Sequence, residues 1–502
     1  MIKKYSFLFL LFLVSLQGYT QDFTKIKTGF KGVMDPVMAW IIPNEGKSNA
    51  FLAGDYFVDN NKFIISQLNQ YHSVNLFKTV SSPFPALYQG DAAVADYNND
   101  GLPDVIITGL NRYGVPVMNL YKNMGHNHFI QVPGPFKGLS NGTVDWGDYD
   151  HDGDMDILTT GKNIKNQLET IIYKNNNGKF SIIYPDIPGV YYGCARWGDV
   201  NGNGWLDILI MGNNGKGSFT ALFINDKGKY HKFFESFVPL SNGDAAWADF
   251  DGDGDLDFFI TGENTDGYPQ CLMYSNETMS NYFKPVSVSI RPLKNGTVDV
   301  GDFDKDGDAD LLITGESLER PYTLIYENKL TFDFKNINAG LPGVANGNAL
   351  WGDYDHDGDM DILLSGIDVC YKFHGDIFKN NLNPPKGKKE TGTSIFINAP
   401  TPLYNMGPYY YYVFSSCFCD PTGGDNLSYN MYISNVHLLK KKYQLNYKFN
   451  DILIKTVPNW TRVDRGHRTS NGFLTKKEAE KSRKQVIESY KVTGFKVHFI
   501  NW

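Results

Sequence analysis

Residues Asp148-Tyr149-Asp150-His151-Asp152-Gly153-Asp154-Met155-Asp156 run straight into Ile157-Leu158-Thr159-Thr160-Gly161. Carboxylates alternate along this stretch and a Gly stands at the sixth place. Oxygen ligands at alternate positions suit a hard cation of calcium size, and the Gly permits the sharp turn that brings them together. The pattern recurs. Copies begin at Asp96, Asp148, Asp199, Asp249, Asp302 and Asp353, spaced 52, 51, 50, 53 and 51 residues apart. A fixed period in that range marks a solenoid, a propeller or an array.

Each repeat has the same register. Two places before the first Asp stands an aromatic or Val: Val94, Trp146, Trp197, Trp247, Val300 or Trp351. The loop is followed by an apolar run that closes on Gly109, Gly161, Gly212, Gly262, Gly315 or Gly366. A second short strand follows, in the style of Leu120-Tyr121-Lys122-Asn123 and ending on Asn175, Asn225, Asn276, Asn328 or Asn380 in the later copies. Turns such as Asn141-Gly142 and Asn295-Gly296 punctuate the remainder. No stretch of the repeats keeps a 3.6-residue period, and short β-branched and aromatic runs between Gly and Asn turns read as strands. About four strands of typical length fit one repeat, the size of a propeller blade.

A seventh, degenerate copy lies upstream. Trp40 aligns with Trp351, Gly46 with Gly358, and Ala50-Phe51-Leu52-Ala53-Gly54 with the closing run; Leu76-Phe77-Lys78 matches the second short strand. Its loop starts at Ile42 and has lost its carboxylates, leaving Asn44 and Asn49. The expectation is an all-β, seven-bladed propeller over residues 22–385, whose first blade kept its packing and lost its ion. Radial closure leaves only short, protected sheet edges.

The loops are not EF-hands. That motif needs a bidentate acid at the twelfth place, where this chain has Ile107, Thr159, Ile210, Ile260, Ile313 and Leu364. The pattern instead resembles the FG-GAP or VCBS repeat of integrin-α-like β-propellers, over about three quarters of the chain. The resemblance implies one calcium per loop, held by the side chains at the first, third, fifth and ninth places and the carbonyl of the seventh. The implied sites are Asp96, Asn98, Asp100, Leu102 and Asp104; Asp148, Asp150, Asp152, Asp154 and Asp156; and Asp199, Asn201, Asn203, Trp205 and Asp207. The other three are Asp249, Asp251, Asp253, Asp255 and Asp257; Asp302, Asp304, Asp306, Asp308 and Asp310; and Asp353, Asp355, Asp357, Asp359 and Asp361. With two carboxylates, the Asp199 loop is expected to bind most weakly.

The formal net charge of −8 divides unevenly. The six loops hold 25 carboxylates, residues 386–502 carry +10, and the first 385 residues carry −18. Six divalent ions would move the propeller to about −6, so calcium is expected to tighten it. Lys3, Lys4 and the apolar run Phe7–Leu16 form a secretion signal with cleavage near Gln21. No later run is long and apolar enough to span a bilayer as a helix. The protein is therefore expected outside the cell, at the cell surface or in the periplasm, with a bacterial source. Five Cys are present. Cys194, Cys271 and Cys370 occupy unrelated places in different repeats, the pattern of small buried residues.

The period stops at Pro384-Pro385, and Lys386–Glu390 reads as a linker. Residues 391–502 are expected to form a small β-rich or α+β module. Tyr409–Phe414 and Tyr429–Ile433 read as strands, Thr475-Lys476-Lys477-Glu478 as a capping box opening a helix that buries Ile487, and Lys496–Ile500 as a last strand. No Gly-x-Ser-x-Gly elbow, phosphate loop or zinc-protease helix stands in a known mechanical context in the sequence. Propellers of the resembled family serve mostly as recognition platforms, which implies adhesion or binding of a protein or glycan. Nucleic acid is not expected as a partner, since the basic residues lie outside any binding motif. Two alternatives remain: a polysaccharide lyase built on a calcium-loop propeller, or a propeller carrying a basic effector tail.

Overall fold

The computed structural model describes residues 23–381, apart from 44–46, 59–60, 74–75, 235, 278–281 and 330–331, and scattered segments of 409–500. The signal segment, the linker, and Asn44 and Gly46 of the first loop lie outside the described residues. Seven four-stranded antiparallel sheets follow one another. In blades 2 to 6 the strand order in the sheet is the order in the chain: Tyr88–Ala95, Asp104–Leu110, Pro116–Asn123 and Phe129–Val132 make blade 2. The first strands of successive blades touch all the way round, including Met34–Ile41 of blade 1 against Ala345–Gly352 of blade 7. The protein is thus a closed ring, a seven-bladed β-propeller.

Closure uses a strand that the repeat pattern does not contain. Phe23–Ile26 adds to the outer edge of blade 7, with Phe23 opposite Asn380 and Ile26 opposite Ile377. The first residues of the ring thereby complete its last sheet. Blade 1 also departs from the expected alignment. Its third strand is the long Asn61–Ser73, and Leu76-Phe77-Lys78 belongs to the outer strand Leu76–Val80. The hairpin Asn49–Val58/Asn61–Ser73 extends past the length of its counterparts, and its third strand lacks the Leu-Tyr-Lys-Asn signature.

Among the described residues the apolar side chains fall into seven clusters, each spanning two neighbouring blades. The aromatic before each loop is the centre of these contacts. It stacks on the residue at the second loop place of the preceding blade: Trp146 on Tyr97, Trp197 on Tyr149, Trp351 on Phe303 and Trp40 on Tyr354, with centroids 6.3, 5.9, 5.8 and 5.9 Å apart. Offset stacking at this distance adds to the burial of two large rings. Gly198 makes room for the next indole, since a Cβ there would lie 2.9 Å from Trp247 Nε1.

In the C-terminal region, Val413–Cys419 and Ser428–Ser434 pair antiparallel, and Lys496–Ile500 adds to the latter in parallel. Helical residues occur between 476 and 487, with Ile487 buried, while Thr475 and Glu478 of the expected capping box lie outside the described residues. Of the cysteines, Cys194 is buried and Cys271 half-buried, but Cys370 is exposed in a hairpin turn, contrary to the reading of all three as buried.

Candidate metal centres and the channel they surround

Every acidic loop joins the first strand of its blade to the second, so all six lie on one face of the ring. Their wiring is the same. The fourth place takes a left-handed conformation in each: Asn99, His151, Gly202, Gly252, Lys305 and His356, with φ from 59° to 77°. The sixth-place Gly follows with φ from 85° to 106°, a region in which a side chain is strained. Its N–H donates to the first-place Asp in all six loops, as Gly153 to Asp148 Oδ2 at 2.9 Å. The seventh-place N–H donates to the fifth-place side chain, as Asp154 to Asp152 at 3.0 Å. The first and fifth side chains are thus fixed by the turn before any ligand arrives.

The ninth-place Asp does something the sequence reading missed. It is the first residue of the second strand and fully or almost fully buried. One oxygen accepts from the N–H of the second loop place, the other from the Asn that ends the third strand. Asp156 accepts from Tyr149 at 3.1 Å and from Asn175 at 2.7 Å, and the same pair recurs in all six blades. Burial pushes Asp104, Asp156, Asp207, Asp257 and Asp361 up to about 8, against the lowering effect of these donors. A divalent cation beside such a carboxylate reverses that preference by favouring the ionised form. The Asn itself links blades. Its amide donates to the second-place carbonyl of the preceding blade: Asn175 to Tyr97, Asn225 to Tyr149, Asn276 to Val200, Asn328 to Phe250 and Asn380 to Phe303, at 2.8–3.3 Å. The recurring Asn was the available signal.

Four of the six loops gather three carboxylates with oxygens within 4.8 Å of one another: Asp148, Asp150 and Asp156; Asp249, Asp251 and Asp257; Asp302, Asp304 and Asp306; Asp353, Asp355 and Asp357. The loops at Asp96 and Asp199 do not, because Asn98 and Asn201 stand at the third place. In the first of these the Asn98 amide donates to Asp104 at 2.8 Å and turns its donor end toward the carboxylate. The donor set of the other four fits a hard cation: all oxygen, mostly anionic, on a turn already bent to shape. Buried Oδ1 atoms of Asp150, Asp249 and Asp355 have no hydrogen-bond partner among the described residues, and a buried acceptor left unmade is costly. Lysines offset part of this charge. Lys122 pairs with Asp100 at 2.9 Å, Lys174 with Asp150 and Asp152, and Lys379 with Asp355 and Asp357. At the Asp249 loop the equivalent place is Ser275, which brings no charge.

A second cluster lines the axis. Asp91 and Asp244 on the first strands flank Arg196, whose guanidinium lies 2.8 Å from Asp244 and 4.0 Å from Asp91, while Asp145 and Asp299 on other first strands feel its charge without pairing with it. Each Asp also accepts an N–H from the next blade: Asp91 from Val144, Asp145 from Trp197, Asp244 from Val298 and Asp299 from Trp351. Burial raises Asp91 to about 6, Asp145 to about 7 and Asp299 to about 6. These groups are hoops of the ring as well as its charge.

A ring of seven sheets with acidic loops on one face and a charged axis defines the class: a repeat-built β-propeller. The model of the FG-GAP-like repeat matches residues 89–159, 199–260, 249–313 and 302–364. The chain carries FG-GAP-like repeats across these four blade regions. No curated protein matches the sequence. Among solved structures, a six-bladed fungal lectin from Aleuria aurantia is 13% identical over 58% of this chain and 95% of its own, with a TM-score of 0.36. A mutant of AofleA from Arthrobotrys oligospora is 12% identical over 62% of this chain and 90% of its own, at 0.39. A thermostable family-43 glycoside hydrolase is 11% identical over 53% and 96%, at 0.32. Overlaps this loose say nothing about ligands.

Proposed function

We propose that the protein is an exported recognition platform, a propeller whose acidic face is clamped by calcium and whose opposite face meets a protein or glycan. The observation that carries the calcium reading is the set of four carboxylate clusters at equivalent places, three of them containing a buried oxygen with no partner. Calcium is favoured over magnesium because the donors are numerous, anionic and on a turn that tolerates irregular geometry, whereas magnesium keeps its waters. Bound there, the ion supplies charge neutralisation. The residues do the rest: the Gly turn orients the first and fifth carboxylates, and the ninth ties the loop to the third strand. That strand ends in the Asn that grips the preceding blade.

The recognition reading rests on the other face. The hairpins between second and third strands project there, and their tips expose Tyr113, Ile164, Tyr268, Leu318, Val369 and Tyr371. Exposed apolar residues recur at these tips on one face, and we read that face as the contact surface. No helix among the described residues is long and apolar enough to cross a membrane. We read the protein as a binder and not an enzyme, because the acidic groups are committed to loop wiring and to inter-blade bonds. The test is thermal unfolding of the full chain in calcium, magnesium and chelator. Chelation is expected to lower the midpoint by several degrees, with calcium restoring it and magnesium restoring little. A midpoint indifferent to chelator overturns the calcium reading.

A further inference from the structure

Seven equivalent residues open the first strands of the blades, and all seven have positive φ: Asp35, Gln89, Asn141, Tyr192, Asn242, Asn295 and Asn346, between 43° and 55°. They form a collar at the channel mouth on the face away from the acidic loops. Their main chains are bonded blade to blade: Asn141 N–H to Gln89 O, Tyr192 to Asn141, Asn295 to Asn242 and Asn346 to Asn295, at 2.6–3.0 Å. Asn and Asp tolerate this conformation; a bulky aromatic does not, and a strained residue held in place by its surroundings points to function. Tyr192 is the one aromatic in the collar. Its ring is exposed, 4.9 Å from that of Tyr191.

The Tyr192 ring borders a cavity of about 410 Å³ between blades 4 and 5. The hollow exists because the blade 4 hairpin is Asn213-Asn214-Gly215-Lys216-Gly217-Ser218, with no large apolar tip of the kind the neighbouring blades carry. Its lining is one tyrosine plus polar groups that between them give and take hydrogen bonds: the Ser218 and Ser241 hydroxyls and the Asn242 and Asn264 amides, and the Glu263 carboxylate, which accepts, with Lys216 exposed at the rim. These groups are held in place. Ser218 and Ser241 share a hydrogen bond of 2.9 Å, Asn242 donates to Glu263, and Lys294 binds the other Glu263 oxygen at 2.7 Å.

We propose that this cavity is a saccharide site, in which one sugar ring lies on Tyr192 and its hydroxyls are read by Asn242, Glu263 and the two serines. The proposal rests on the platform reading above and names its ligand class and place. The volume suits a small-molecule site with a few placed polar groups. Among the described residues no Val, Leu, Ile or Met lines it, so Tyr192 is its main apolar face and the rest of the lining is polar. A pyranose presents a C–H face to an aromatic ring and hydroxyls at its edge, which is the complement of this lining.

The experiment is binding of the full chain, in calcium, to an array of immobilised neutral and uronate-bearing oligosaccharides, with immobilised gelatin as the protein arm. Wild type is expected to retain a subset of the oligosaccharides. Tyr192→Asn, which installs the residue found elsewhere in the collar, is expected to lose at least about tenfold in affinity while melting no lower than wild type. Glu263→Gln tests the polar side of the site and is expected to weaken binding in parallel. Oligosaccharide binding that survives Tyr192→Asn unchanged overturns this site and leaves the platform reading standing. Retention of gelatin alone overturns the saccharide class, and retention of neither overturns both. A chelator-indifferent midpoint touches only the calcium reading.

Discussion

At the residue scale the aspartates of one loop have separate duties. Asp251 sits at the third place of the loop at which no lysine replaces Ser275, and its carboxylate joins those of Asp249 and Asp257. Asp257 holds the N–H groups of Phe250 and Asn276, both buried. The two should part company on mutation. Asp251→Asn is expected to raise stability in chelator slightly, because it relieves burial of a charge and repulsion from Asp253, and to remove the calcium-dependent increment of that site, about 1.4 kcal/mol at tenfold saturation. Asp257→Ala is expected to cost roughly 2–5 kcal/mol with or without calcium, because two buried donors lose their acceptor. Denaturant unfolding in calcium and in chelator separates them; equal behaviour of the two variants would contradict the assignment. The Asp-x-Asp spacing is what suggests the proposed ligand duty in the sequence. The scaffolding duty was hidden, since its partner Asn lies 19 residues further on and nothing local links the two.

At the element scale, a blade is joined to its neighbour by repeated small devices rather than by one large one. Indole stacks on the second loop residue, Asp to backbone bonds run between first strands, and the Asn amide reaches the preceding loop. Asn225 donates to Tyr149 O and keeps its own N–H on Asp207. Its side chain also accepts from Gly228 N–H at 2.7 Å and donates to Leu206 O at 3.1 Å within blade 4, so Asn225→Ala is expected to loosen the outer turn of blade 4 as well as its joint with blade 3. The cost is about 1–3 kcal/mol for the orphaned carbonyl, seen in denaturant unfolding and as faster hydrogen exchange at Tyr149–Asp156. Unchanged stability would show that the bond is replaced by water. The second and third strands of blades 2 to 7 were plain from the repeat, whereas the outer strand of blade 7 was not. Blade 1 was misaligned in its outer half, because a long hairpin displaced the residues from the fixed period.

At the scale of the whole molecule the axis sets a pH dependence. Burial holds Asp91, Asp145 and Asp299 above the unfolded carboxylate value, at about 6 to 7. Their protonated forms are favoured in the fold. Their contribution is complete below about pH 4 and is lost as pH rises through 6 to 7. In saturating calcium, the melting midpoint is expected to fall between pH 5 and 8, and Asp299→Asn to flatten that fall; a midpoint rising over this interval contradicts the axial assignment. The sequence by itself determined the repeat, the blade count, the loop chemistry and the face on which the loops gather, because a period of some 50 residues and alternate aspartates are local facts. The tertiary structure alone decided three things. The strand Phe23–Ile26 completes the last blade, aspartates of two other first strands flank one arginine on the axis, and Tyr192 overhangs a hollow between two blades. Each depends on residues that come together only when the ring closes, and chain spacing carries no record of that closure.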